Sequence, residues 1–195
     1  ITTRGTMIER DIDRIAPMAA AGLASVSISV TTLDEDLARK MEPRAPTPKR
    51  RLLIIRRLAD AGIQVRIQVS PLIPALTDHE LETVMEAGRD AGASAANTIP
   101  LRLPLEVAGL FRDWLHATFP DRAARVMGRV RELHGGRDYD PEFGTRMRGQ
   151  GLWADLIHRR ADLARRRLGL AEGLPTLRTD LFAPPPMPGD QLSLF

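Results

Sequence analysis

A chain of 195 residues, 43% hydrophobic and 27% charged, has the balance of a folded globular domain and can bury roughly 70% of its unfolded surface without staples. It has no cysteine, which excludes disulfides, thiolate nucleophiles and any zinc or iron–sulfur site held by cysteines of this chain. The net charge is only +3, although all but two (Lys40 and Lys49) of the 28 basic residues are arginine, so charge alone does not imply nucleic acid.

The sequence opens on Ile1-Thr2-Thr3 rather than on methionine, as expected if the front of a longer protein precedes it. Ala21-Gly22, Ala61-Gly62 and Ala91-Gly92 then each close an apolar-periodic stretch and precede a β-like run, at 25–31, 64–70 and 95–103. Glycine just past a helix supplies the left-handed position that ends it. Between the first two runs, Thr47 and Pro48 read as N-cap and first residue of a helix. Its apolar positions Leu52, Ile55, Leu58 and Ala59 recur at helical spacing. Thr77-Asp78-His79-Glu80 reads as a capping box that opens a second helix reaching Ala91. The order of helices and strands, in units of 30 to 40 residues, is that of a parallel α/β sheet.

Alternation divides the faces. Val26, Ile28 and Val30 alternate with Ser25, Ser27 and Ser29; Val65, Ile67 and Val69 alternate with Gln64, Arg66, Gln68 and Ser70. A doubly wound sheet is covered on both faces and would read as continuous apolar runs, so one polar face favours a barrel with an open lumen. Pro100 marks the third run as a sheet edge, the last strand of an incomplete barrel.

The second half is helical. Val107, Leu110, Phe111, Trp114 and Leu115 form one apolar stripe; further helices are predicted at 121–133, stopped by Gly135-Gly136, and at 153–168, ending in Arg165-Arg166-Arg167. The proline-rich stretch 183–189 is a stiff linker to a terminal peptide. This gives a barrel part at 1–119, a helical extension at 120–182 and a tail at 183–195. No apolar run approaches the roughly 20 residues of a membrane helix, so no membrane partner is expected and a cytoplasmic location is.

Ligands of parallel barrels sit at the carboxyl ends of the strands. Arg44, in the loop Glu42-Pro43-Arg44-Ala45-Pro46, either grips a carboxylate or phosphate there or pairs with Glu42 or Asp34. Arg66 and Gln68 on the polar face contact either a ligand or a neighbouring carboxylate. The four histidines are scattered without metal-ligand spacing, and His79 reads as an exposed residue. The arginines of 159–167, interleaved with Asp155 and Asp162, read as a solvated face.

Several strand-end motifs together resemble those of radical S-adenosylmethionine (radical SAM) proteins, in the branch of spore photoproduct lyase and its DNA-repair-photolyase-like relatives. They are Thr3-Arg4-Gly5, Ser29-Val30-Thr31-Thr32-Leu33-Asp34, Glu42-Pro43-Arg44-Ala45-Pro46 and Pro71-Leu72-Ile73-Pro74-Ala75-Leu76-Thr77-Asp78. Leu101-Arg102-Leu103-Pro104-Leu105-Glu106-Val107 and Phe143-Gly144-Thr145-Arg146-Met147 also fit. The resemblance implies about the last three strands of an incomplete (β/α)6 barrel followed by C-terminal helices. It implies an enzyme that reductively cleaves S-adenosylmethionine at a [4Fe–4S] cluster for radical chemistry on a substrate, with DNA implied by the branch. The cluster ligands, a Cys-x-x-x-Cys-x-x-Cys motif, are absent here, so this chain alone would be inactive. Thr3 and Arg4 stand where the family often has a polar triplet at the third strand end, Gly5 replacing its serine, and Ser29 matches a serine that approaches the cofactor. With Arg44 these are the expected cofactor-binding residues. Arg66 and Gln68 depart from the small or apolar residues usual on the fifth strand.

The terminal peptide Gln191-Leu192-Ser193-Leu194-Phe195 resembles the pentapeptide that binds the bacterial DNA polymerase sliding clamp. Leu192, Leu194 and Phe195 are its apolar anchors; folding of the same residues back onto the barrel's helices is the alternative. A non-catalytic module attaching to DNA or the clamp through arginine-rich helices and this peptide is the second functional class.

Overall fold

In the computed structural model, which describes residues 1–185, a parallel sheet in the order β1-β2-β3-β4 organises the chain. Strand β1 (Thr2–Thr3) leads through a 3-10 turn to helix α1 (Ile12–Ala20), and β2 (Val26–Ser29) follows. Helices α2 (Glu35–Met41) and α3 (Pro48–Asp60) connect β2 to β3 (Val65–Leu72). Helix α4 (Leu81–Asp90) then leads to β4 (Ala95–Pro100). The rest is α5 (Val107–Thr118), α6 (Pro120–Leu133) and α7 (Gly151–Leu168). This is an α/β fold with four parallel strands and seven helices among the described residues, consistent with part of a radical SAM barrel. None of these helices is long and apolar enough to cross a membrane. The terminal peptide, Gln191 to Phe195, lies outside the described residues.

Local chemistry explains most element boundaries. The Thr47 hydroxyl accepts from the Arg50 amide, 3.3 Å, and Pro48 opens α3 as expected. Gly22, Gly62 and Gly169 adopt the positive φ that ends α1, α3 and α7. On β3 the residues alternate between fully and partly buried, so Val65, Ile67 and Val69 enter the core while Arg66 and Gln68 take the other face.

Two hydrophobic clusters result. The larger packs β2, β3 and β4 against α1, α3, α4 and α7 through Ile28, Ile54, Ile55, Leu58, Ile67 and Met85. The second lies over the carboxyl ends of the strands and joins Leu37, Ile73, Leu76, Leu101 and Leu103 to Leu115, Val126 and Val130.

Two expectations are corrected. Residues 77–80 are not a capping box: the Thr77 hydroxyl accepts from the Ile73 amide, 2.9 Å, and Glu80 takes the Thr32 hydroxyl and the Leu33 amide, 2.8 Å. A tertiary partner outcompetes the local cap, and α4 begins only after a 3-10 turn. The apolar stripe of α5 joins the second cluster on one side only, with Phe111 and Trp114 packed against it. Leu115 is fully buried, but Leu110 is 66% exposed, because no described element covers that side. The third run ends as a strand at Pro100 rather than at residue 103; Leu101 and Leu103 turn into the second cluster.

Candidate functional site

The carboxyl ends of β1 and β2 and the loop after α2 form a rim. Arg4 follows directly on β1, and its guanidinium is paired with Glu42, in the loop 42–47. Glu42 is mostly buried and has a second partner, Arg51 of α3. Arg51 is almost wholly buried and uses every nitrogen: Nε donates to the Pro46 carbonyl, 2.9 Å, Nη1 to the Ser29 carbonyl, 3.1 Å, and Nη2 to Glu42. One guanidinium thus ties the end of β2 to the loop and aims the Glu42 carboxylate at the rim. Such fully used, charge-assisted bonds hold a site in place better than exposed ion pairs do.

Around this pair lie two adjoining cavities. One, about 440 Å³, is lined by Arg4, Met41, Glu42, Pro43 and Arg44 among others. The other, about 300 Å³, runs from Arg4 and Glu42 along Ile73 and Leu101 to Leu110, Phe111 and Trp114 of α5. The exposed apolar face of α5 is therefore the wall of a groove beside the rim. The Trp114 indole N–H donates to the Lys40 carbonyl, 3.1 Å, which leaves its ring to the groove.

The structure brings Arg4 and Arg44 to one cavity. Arg44 has no ion pair among the described residues, and Glu42, which the sequence offered as its partner, is engaged by Arg4 and Arg51 instead. Ser29 belongs to the polar face, on the rung it shares with Gln68. Thr3 pairs in register with Ile28, on the helix-covered face, and its hydroxyl accepts from the Gly5 amide, 3.0 Å. Arg51 was not singled out from the sequence, and Glu42 was named only as a partner for Arg44. A signal was present for Arg51: with Pro48, Ile55 and Leu58 it falls on the buried stripe of α3.

The polar face of the sheet is built in rungs. Ser27, Arg66 and Ala95 share one, and Ser29, Gln68 and Asn97 the next. Arg66 Nε donates to the Ser27 hydroxyl, 3.1 Å.

Elsewhere the motif residue Thr145 donates to the Asp140 carboxylate, 2.6 Å, and this bond, with the Glu142 amide, holds that carboxyl below the usual range. His134 is buried with Nε2 2.8 Å from the Leu101 carbonyl, while His79 is exposed. The described residues contain no group of three or more His, Cys, Asp or Glu able to hold a metal ion.

Residues 1–88, which include the whole rim, match the model of the Radical SAM superfamily. An uncharacterized protein of Mycobacterium tuberculosis (strain H37Rv) is 33% identical over 143 residues, 72% of this chain and 41% of the relative. An uncharacterized protein of Mycobacterium bovis gives the same values. One of Acidianus two-tailed virus is 34% identical over 97 residues, 47% of this chain and 32% of the viral protein. The chain spans about two fifths of the length of the mycobacterial relatives it matches.

Proposed function

We propose that this chain is the C-terminal part of a radical SAM enzyme of the spore photoproduct lyase-like branch, and that its rim binds S-adenosylmethionine. The observation that carries this reading is a coincidence of place. The segment that matches the superfamily model supplies Arg4, Glu42 and Arg44, and these surround a cavity at the carboxyl ends of parallel strands. Parallel βα folds bind ligands at that end.

The donor set suits the cofactor. Arg4 and Arg44 offer guanidinium groups to its carboxylate, and Glu42 offers a carboxylate to its ammonium group or ribose hydroxyls. Ile73, Phe111 and Trp114 offer an apolar wall to a flat ring. Arg51 is a positioning residue that fixes Glu42. The donor set does not suit an iron–sulfur cluster, because this chain has no cysteine. Cluster ligands would come from a Cys-x-x-x-Cys-x-x-Cys segment preceding residue 1. This chain's own share is to bind and orient the cofactor and to shield it from water.

The test is to read the sequence upstream of residue 1, express the longer protein anaerobically, and measure iron, sulfide and release of 5′-deoxyadenosine. The expected result is a cysteine triad, bound iron and cofactor cleavage. A start codon directly before Ile1, or a longer protein without the triad or without iron, overturns the reading. In the cluster-loaded protein, Arg4→Ala should weaken cofactor binding by roughly 1.5–3 kcal/mol, the range for a hydrogen bond to a charged group. Unchanged affinity removes Arg4 from the site.

A further inference from the structure

The segment after α7 keeps to one end of the sheet. Ala171 is tied to Ser94 and Ala96 at the start of β4. Further on, the Arg178 amide donates to the Gly22 carbonyl, 2.9 Å, in the turn that leads into β2. The chain therefore crosses the amino ends of the strands, opposite the rim of Arg4, Glu42 and Arg44. Leu170 is the last residue to enter either hydrophobic cluster. From Ala171 to Pro185 every residue except Leu174 is exposed.

The sequence beyond that anchor is unlike the rest of the chain. From Leu181 to Phe195 there is no lysine or arginine, in a protein with 28 basic residues, and Asp190 is the single charged side chain. Such a stretch is unsuited to a phosphate backbone or an anionic bilayer, both of which are bound through basic groups. Pro184, Pro185, Pro186 and Pro188 separate the fold from Gln191-Leu192-Ser193-Leu194-Phe195. A proline-rich spacer over 183–190 reaches about 25 Å at roughly 3.1 Å per residue. Leu192, Leu194 and Phe195, close together in a short peptide, are what a hydrophobic pocket on a protein surface takes.

We infer that residues 191–195 are a docking peptide for the bacterial DNA polymerase sliding clamp, and that the clamp is held at the end of the sheet away from the rim. Leu194 and Phe195 are adjacent anchors for an apolar pocket, Leu192 adds a third, and the Gln191 amide hydrogen-bonds at the pocket's edge. The likeness to the clamp-binding pentapeptide holds at all five positions, glutamine, leucine, a small polar residue, leucine and phenylalanine. A protein carried by a ring that encircles DNA needs no strongly basic surface of its own, which agrees with a net charge of only +3. The inference does not rest on the cofactor reading, since neither iron nor S-adenosylmethionine enters it.

The experiment uses the longer protein and a purified bacterial sliding clamp, with binding read by titration calorimetry. Binding should be saturable, and a synthetic peptide of residues 186–195 should displace the protein. Phe195→Ala should weaken binding at least tenfold, since a few buried anchors carry most of such interfaces. It should leave the urea midpoint unchanged. Leu181→Ala, which removes an exposed apolar side chain outside the peptide, should leave the affinity within twofold of wild type. Hydrogen exchange followed by mass spectrometry should slow over 186–195 when the clamp is added, and stay the same in the loop 42–47 and in α5.

The inference is overturned if the wild type shows no binding at about 100 μM clamp, or if Phe195→Ala binds equally well. A wild type that does not bind, together with a lowered urea midpoint in Phe195→Ala, would assign the peptide to the fold, packed back on the helices. Slower exchange in the loop 42–47 or in α5 would put the clamp on the rim and overturn its placement. Clamp binding by a protein without a cluster would leave this inference standing while the radical SAM reading fell.

Discussion

Glu42 is a carboxylate held in a largely buried place by two arginines of unequal standing, exposed Arg4 and buried Arg51. Removing the buried one leaves a charge that the remaining partner, which moves in solvent, does not fully compensate, and it also orphans the Pro46 and Ser29 carbonyls. Breaking a buried pair from one side costs roughly 3–5 kcal/mol. With Arg4 still present, Arg51→Ala should lie near the lower end, about 3 kcal/mol, read as a drop in urea midpoint. Arg51→Lys should recover only part of it, since an ammonium cannot reach three acceptors in the fork geometry. A loss under about 0.5 kcal/mol for Arg51→Ala, the size of an ordinary surface change, would show that the network is not what holds the loop. At this scale the candidate site was half legible. Arg4 was named through the resemblance of its strand-end motif and Arg44 through its loop, and the two line one cavity. Glu42's role could not be named, because its partner Arg51 comes from the next helix and only folding brings the two together.

At the scale of elements, the packing of α4 on β3 depends on a missing side chain. A Cβ at Gly88 would stand 2.5–2.8 Å from three side-chain atoms of Ile67, including Ile67 Cβ, which no rotamer change can move away. Gly88→Ala gains up to about 1 kcal/mol of helix propensity. It should nevertheless destabilise the protein by roughly 1–3 kcal/mol through overpacking. Ile67→Val in the same chain should return part of that loss by removing Cδ1. Stabilisation by Gly88→Ala would mean that α4 sits further from the sheet. The contact of α4 with α7 is electrostatic at one point, where Arg160 bonds Glu82 at 2.6 and 2.8 Å. The Arg160 hydrogen bonds hold the Glu82 carboxyl below its ordinary value. A carboxyl lowered on folding contributes stability that is fully present above the unfolded value, about 4.3, and lost as pH falls through the folded one. The stability difference between wild type and Glu82→Gln should therefore be present at pH 7 and shrink as pH falls below the ordinary carboxylate range. A difference independent of pH would mean that packing, not charge, separates the two. The elements themselves were largely legible, since Thr47, Pro48 and the glycines past the helices act locally. The false capping box and the half-covered stripe of α5 were not. In one case Glu80 had a partner 48 residues away, and in the other the pattern gave the apolar face but not what would cover it.

For the molecule as a whole, alternation in β2 and β3 was the most informative signal, because it separated a helix-covered face from a polar one before any coordinates. The sheet's two edges, however, are not alike. On one side β1 is two residues long, and no strand pairs beyond it among the described residues. On the other, β4 is met by the segment after α7: the Ala96 amide donates to the Ala171 carbonyl, 2.8 Å, and the Ala171 amide to the Ser94 carbonyl, 3.0 Å. Nothing in the sequence around Ala171 announces this, since a single bridge leaves no periodicity. Its consequence concerns time. During synthesis the outer hydrogen-bonding groups of β4 leave the ribosome about 75 residues before the residue that satisfies them. At 5–20 residues per second that is a delay of about 4–15 s. Throughout that interval the β4 edge of the nascent sheet is bare, and the arrival of Ala171 turns it from a growing end into a finished one.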